Sequence, residues 1–312
     1  MTVAYAVTGG TGFLGAAIVD QLVRKGAPVR ALARKPDQLR TKSGLVVPVR
    51  GALEDAAALT DLCAGAGVVI HCAGLTHARR DAEFHAVNAE GARRVAKAAA
   101  KAGARLVLIS SMAARRPTVS AYAASKRAGE DLVAEAMSDA HWCALRAPAI
   151  YGPADQATLP YFRLVKSGFA PEPAAEPPPR ASILYVEDVA AAVVQAADFP
   201  PANGFYEIGD ERADGYSWRE IGETLAATLG VKAARIRAPR SILEGFSALA
   251  AGSVRLFGGA PMVTPGKIAE FFHADWVARD NMLSAHSAWR PRTPLAEGFA
   301  KTVRWYKENG LL

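Results

Sequence analysis

Tyr122 and Lys126 stand four residues apart in an alanine-rich, helix-forming stretch, so their side chains stack on one helix face. A free tyrosine, with a pKa of about 10, is a slow acid-base catalyst at neutral pH. A neighbouring ammonium favours the phenolate and brings proton transfer into the working range. Just upstream, Ser110 and Ser111 close an apolar run, and a hydroxyl there can hold a carbonyl oxygen beside the tyrosine. Ser111, Tyr122 and Lys126 are therefore the candidate catalytic residues, suited to proton transfer at a carbonyl or carbinol oxygen.

Proton transfer of this kind needs a hydride partner, and the start of the chain offers a place for one. An apolar β-branched run leads into Thr8-Gly9-Gly10-Thr11-Gly12-Phe13-Leu14-Gly15 and then into an apolar helix. Glycines at 9, 12 and 15 allow a tight turn, close backbone approach to a pyrophosphate, and close packing of helix on strand. The helix N-terminus then faces the phosphates with its free amides. Gly9, Thr11, Gly12, Phe13, Leu14 and Gly15 are thus expected to hold a dinucleotide. Arg34, followed by Lys35, ends the second strand. A basic side chain at that position suits a ribose 2′-phosphate through paired hydrogen bonds, which predicts NADP(H) as the cofactor.

The elements that must position these groups follow from hydrophobic pattern. Strands are predicted at Val3-Thr8, Val29-Ala33, Leu45-Val49, Val68-Cys72, Leu106-Ser110 and Trp142-Arg146, with helices at Leu14-Lys25, Ala56-Ala64, Phe84-Ala102 and Val119-Met137. This alternation predicts an α/β fold: a doubly wound parallel sheet (Rossmann) with a smaller, mostly helical C-terminal substrate domain. Residues 1–165 plus about 182–215 are assigned to the dinucleotide-binding domain, and about 166–181 and 216–312 to the substrate domain. The prolines at 171, 173, 177, 178 and 179 mark a loop or flap. Ser182-Tyr185, a helix at Glu187-Ala197 and a strand at Phe205-Ile208 are expected to return to the sheet.

Three cysteines with no C-x-x-C spacing indicate neither a disulfide framework nor a metal site, and a reducing compartment fits them. With no export signal ahead of the first strand, a cytoplasmic protein is expected, with contact at the cytoplasmic face of the membrane as a further option. The net charge of +7 is spread over scattered pairs such as Arg79-Arg80 and Arg115-Arg116, so no nucleic-acid partner is expected. Arg115 and Arg116 read as solvated loop residues, or as contacts for an anionic group at the mouth of the site. The glycine-broken apolar stretch Ser241-Val263 is too interrupted for a transmembrane span. A buried helix pair is its simplest role, and lining a greasy substrate pocket or touching a bilayer surface are the functional ones.

Taken together, T-G-x-x-G-x-x-G, His71-Cys72-Ala73-Gly74, Val87-Asn88, Ser110-Ser111, Tyr122-x-x-x-Lys126, Arg146-Ala-Pro-Ala-Ile-Tyr-Gly-Pro153 and Tyr185-Val-Glu-Asp-Val189 resemble the extended short-chain dehydrogenase/reductases. The resemblance covers Val3 to about Ala197. It implies that Lys126 also bonds the nicotinamide ribose, that Ala73 and Gly74 pass over the cofactor, and that Ala147-Ile150 packs on the nicotinamide, adding Ile150 to the site. His71 is expected to be a satisfied structural histidine and Asn88 to order local water or backbone. Two departures stand out. Gly51-Ala52-Leu53 replaces the family's frequent Gly-Asp, so the adenine contact passes to Leu53 or to backbone. Met112-Ala-Ala-Arg-Arg116 lacks the acid that dehydratases place after the serine. Reduction of a ketone is therefore the reaction the family resemblance favours. Similar bacterial reductases act on an oxidised ceramide, which suggests a small-molecule or lipid substrate of that kind. A nucleotide-sugar epimerase and a non-catalytic NADPH-binding accessory protein of the respiratory chain are the alternatives.

Overall fold

The computed structural model describes residues 4–210, 212–245, 247 and 264–312. Its first half alternates strand and helix as the hydrophobic pattern requires: β1 (Tyr5–Thr8), α1 (Phe13–Arg24), β2 (Val29–Ala33), β3 (Val46–Arg50), α2 (Ala56–Cys63) and β4 (Val68–His71). The chain continues through α3 (Asp81–Phe84), a π-helical turn (His85–Glu90), α4 (Gly91–Lys101), β5 (Arg105–Ser111), α5 (Ala121–Ala136) and β6 (Trp142–Ala147). The single helix predicted at Phe84-Ala102 is therefore two helices joined by a π turn. Part of the reason is crowding: a Cβ on Gly129 of α5 would stand 2.5 Å from the Asn88 carbonyl, so the backbone of the turn lies directly on α5.

Seven parallel strands form one sheet in the order β11-β6-β5-β4-β1-β2-β3, β11 being Gly204–Glu207. The order reverses between β4 and β1, so the crevice that takes ligands in such sheets opens past the carboxyl ends of those two strands. Both strands are buried along their whole length, as a sheet covered on both faces demands. On one face Leu59 and Leu62 of α2 and Ala92, Val95, Ala96 and Ala99 of α4 pack on Val69, Leu106 and Ala144. The alanines let helix and sheet approach closely.

Two compact units emerge. The first comprises Met1–Ala147, Val189–Ile208 and Asp280–Arg290, and the second Pro148–Asp188, Gly209–Arg279 and Pro291–Leu312. Residues 148–165, 182–188 and 209–215, assigned by sequence to the dinucleotide-binding part, fall in the second unit, and 280–290, assigned to the substrate part, fall in the first. In the second unit β7 (Ala149–Tyr151) pairs with β10 (Ile183–Tyr185), and α6 (Leu159–Lys166) leads to β8 (Phe169–Pro173), which pairs in parallel with β13 (Ala234–Ala238). Its core is aromatic: Tyr151, Phe162 and Tyr306 meet Phe299 or one another edge to face, with centroids 5.0 to 5.4 Å apart. Two expectations are corrected. Ser182-Tyr185 pairs with β7 in a two-stranded sheet instead of joining the large one. Pro171 and Pro173 lie in a strand and not in a loop, which a two-stranded pair with open edges tolerates because proline lacks only the donor. Phe205-Ile208 does return to the large sheet, as β11 on β6. Of Ser241-Val263, residues 246 and 248–263 lie outside the described residues, and with them the expected pocket wall or buried helix. Among the described residues no helix is long and apolar enough to cross a membrane.

Candidate active site

The turn after β1 is built for close approach of backbone. Gly9 has φ +75°, a left-handed conformation, and a Cβ there would stand 2.6 Å from the Ala73 nitrogen. On Gly15 a Cβ would stand 2.0 Å from the Gly9 carbonyl oxygen. The Gly12 amide donates to that same oxygen at 2.9 Å. Helix α1 then starts at Phe13 with Gly12 as its cap and no side chain satisfying its first turn. The amides of that turn, around Phe13 and Leu14, and the positive end of the helix dipole are available to an anion. A pyrophosphate fits this cradle. Thr8 ties the two strands at the crevice: its hydroxyl accepts the Ala73 amide at 3.2 Å and shares a 2.7 Å hydrogen bond with His71 Nδ1.

Along the same carboxyl edge, Arg34 and Lys35 follow β2 and are exposed. Leu53 is half-buried against Gly91, where a Cβ would meet it at 2.9 Å. Gly74 lies under Asn88, whose Oδ1 would be 3.1 Å from a Cβ there. Ile150 belongs to β7 in the second unit and is half-buried.

Ser111 is the last residue of β5 and caps the short turn Met112–Arg115, its Oγ accepting the Ala113 amide at 3.2 Å. Tyr122 is the second residue of α5, whose first turn is capped by Ser120. The ring of Phe84 meets it edge to face with centroids 5.9 Å apart. Lys126, one turn further, donates from Nζ to the Ile109 carbonyl at 2.6 Å. That bond seats the ammonium at the end of β5, two residues before Ser111. Burial pulls the Lys126 pKa down to about 8, against the opposing pull of Glu130 and then Cys72.

Glu130 is a functional candidate that sequence reasoning did not single out. It is fully buried one turn beyond Lys126, and it accepts from Ser110 Oγ at 2.5 Å, Arg146 Nε at 2.9 Å and Arg146 Nη2 at 2.7 Å. The signal was present as spacing: Tyr122, Lys126 and Glu130 form one i, i+4, i+8 stripe of polar groups in a sequence otherwise rich in alanine. Asn88 fills the expected ordering role. Its Nδ2 donates to the Leu75 carbonyl and to Ser125 Oγ, both at 3.0 Å, and its Oδ1 accepts the Leu75 amide at 2.7 Å. Ser125 in turn donates to the Tyr122 carbonyl at 2.7 Å. The π turn thus pins the Gly74-Leu75 loop to the turn of α5 that carries Tyr122.

His71 is buried and its pKa is driven down to about 3 by desolvation, with the Lys126 charge adding to the shift. It stays neutral at physiological pH and serves as a packed hydrogen-bonding group. Arg115 departs from both roles read from sequence. Its Nη1 lies 3.2 Å from Glu207 Oε1 and 3.6 Å from Asp280 Oδ2, and its side chain is only 13% exposed. Glu207 is itself buried, and a buried carboxylate needs a fixed cation. Arg116 remains exposed. No group of metal-ligating side chains occurs among the described residues.

A doubly wound sheet with a glycine cradle after β1 and a Ser111, Tyr122, Lys126 set beside β5 defines a dinucleotide-dependent oxidoreductase. The chain belongs to the NAD dependent epimerase/dehydratase family, whose profile matches residues 5–209, and its cofactor is a nicotinamide dinucleotide. It is 40% identical over 98% of its length, and 95% of the relative's, to a protein of Caulobacter vibrioides named ceramide reductase. It is 31% identical over 73% of both chains to the 4-hydroxy-2-methyl-3-oxo-4-farnesyl-3,4-dihydroquinoline-1-oxide ketoreductase of Stigmatella aurantiaca. Among solved structures it resembles MoeE5 in complex with UDP-glucose and NAD, with a TM-score of 0.75, 22% identity, and coverage of 98% of this chain and 99% of that one. That likeness shows the fold.

Proposed function

We propose that the chain reduces a ketone on a hydrophobic, ceramide-like lipid with NADPH. The observation that carries this reading is Lys126: a desolvated ammonium bonded to the end of β5, one helical turn from Tyr122 and two residues from Ser111 along the strand. NADPH, when bound, supplies the hydride to the carbonyl carbon. Ser111 holds the carbonyl oxygen, Tyr122 gives it the phenolic proton, and the charged Lys126 stabilises the phenolate that remains. The product is the secondary alcohol.

The turn after Ser111 supports reduction over elimination, because Met112, Ala113 and Ala114 are buried and apolar where a dehydrating acid would stand. Arg34, exposed past β2, supports the phosphorylated cofactor. A lipid substrate is supported by the two relatives, one named for a ceramide and one for a farnesyl-bearing ketone. The test is Tyr122→Phe assayed by NADPH oxidation with 3-ketoceramide. Turnover falls by about 10³-fold while NADPH still binds, and retained turnover overturns the assignment.

A further inference from the structure

The β8 and β13 pair in the second unit has two unlike faces. Its register sets Phe169 opposite Ala234 and Pro171 opposite Ile236. Side chains alternate along each strand, so Phe169, Pro171 and Ile236 share one face while Ala170 and Glu172 share the other. The second face is covered: Ala170 and Glu172 are buried, and a Cβ on Gly222 of the helix Trp218–Leu229 would meet Ala170 at 3.1 Å. Among the described residues the first face is open at Phe169 and Ile236, half-covered at Pro171 and closed at Pro173. Phe169 is 49% exposed and Ile236 42%. Leu164, on the turn of α6 that leads into β8, is 46% exposed, and Ile242, just past β13, is 52% exposed. Four of the six large exposed apolar side chains among the described residues thus belong to one short stretch of fold, the other two being Val47 and Phe199.

Charge singles out what covers this face. Lys166 lies three residues before Phe169, and Lys232 two residues before its partner Ala234. The two strands meet there through the Ala234 amide, bonded to the Gly168 carbonyl at 2.8 Å. Both lysines are exposed, and neither is in an ion pair among the described residues. Arg163 is also exposed and, among the described residues, bonds only a backbone carbonyl, that of Leu311. The nearby acids are already taken: Glu172 by Arg235, Glu176 by Arg237 and Glu244 by Arg240. What is left over is cationic. Bare apolar side chains beside unneutralised cations match the interface of an anionic bilayer, where rings and branched chains enter the acyl boundary and ammonium groups meet phosphates. A second copy of the chain would bring the same unpaired lysines against themselves.

We propose that this face, centred on Phe169 and Ile236 and flanked by Lys166 and Lys232, docks the protein on an anionic membrane surface. It does not depend on the ketone-reduction reading.

The test is co-sedimentation of the full chain with vesicles of phosphatidylcholine alone and of phosphatidylcholine mixed with phosphatidylglycerol. Binding is expected to the mixed vesicles, and to weaken with added salt as surface charge is screened. The double variant Phe169→Ser, Ile236→Ser and the double variant Lys166→Glu, Lys232→Glu each lose binding by about tenfold or more. Both retain the parent melting temperature and NADPH affinity, since none of the four side chains is buried. Absence of binding by the parent chain, or unchanged binding by both variants, overturns the proposal. So does a parent dimer in sedimentation that the Phe169, Ile236 variant makes monomeric, because the face would then be covered by a second copy.

Discussion

Replacing Glu130 by glutamine tests whether the buried carboxylate both holds the sheet and tunes the lysine. Glu130 is completely buried, and both of its oxygens are engaged by Arg146, one of them also by Ser110. The amide retains one acceptor but points donors at a guanidinium whose side chain is only 15% exposed. Breaking one partner of a buried ion pair costs about 3 to 5 kcal/mol, which in a chain of this size lowers the melting temperature by about 5 to 8 °C. The second effect is on Lys126. Burial already brings its pKa to about 8, and Glu130 opposes that shift. Without the carboxylate, the Lys126 pKa falls further. Ketone reduction needs Tyr122 protonated and Lys126 charged, so its rate declines as pH rises through about 8 in the parent, and the decline starts at lower pH in Glu130→Gln. The same shift makes a stability statement. Between the folded value of about 8 and the unfolded value of 10.5 the unfolded chain binds more protons, so this group makes stability rise with pH across that window. The assays are thermal melting, the pH profile of NADPH oxidation, and the Lys126 side-chain nitrogen shift against pH. A variant that melts with the parent and leaves the Lys126 titration in place refutes the account.

Gly15→Ala sets a small gain against a large loss. Alanine is worth about 1 kcal/mol in helix propensity, but its Cβ would stand 2.0 Å from the Gly9 carbonyl, so the loop must move and NADPH affinity is expected to fall about tenfold or more, as titration of cofactor fluorescence would show. Arg34→Ser removes charge-assisted bonds worth about 1.5 to 3 kcal/mol, which predicts weaker NADPH binding with NADH affinity unchanged; equal losses for both would contradict the 2′-phosphate role. Burial holds the thiols of Cys72 and Cys143 at about 12 and that of Cys63 at about 11. At pH 8 the folded protein should therefore resist a thiolate-directed disulfide reagent, and all three cysteines should react once it is unfolded.

Period and spacing alone placed the six strands and the glycine cradle, because a parallel sheet buried on both faces leaves continuous β-branched runs and a pyrophosphate turn admits only glycine at 9 and 15. They also put Tyr122 and Lys126 on one helix and Ser111 at the end of a strand, since both placements are local patterns. Other features depend on chain segments far apart in sequence. Glu130 matters because Arg146 and Ser110 converge on it, and Arg115 is a structural cation because Glu207 is buried beside it, 92 residues away. The π turn at His85–Glu90 lies with its backbone directly on α5 at Gly129, a contact between segments about forty residues apart. Pro171 and Pro173 break strands in an average context, and only pairing with a strand about sixty residues later, at an open edge where the missing donor costs little, turns them into β8. What the sequence by itself determined was therefore the local geometry that chemistry requires. Tertiary structure decided which charges are neutralised, because that depends on partners that no spacing along the chain brings into view.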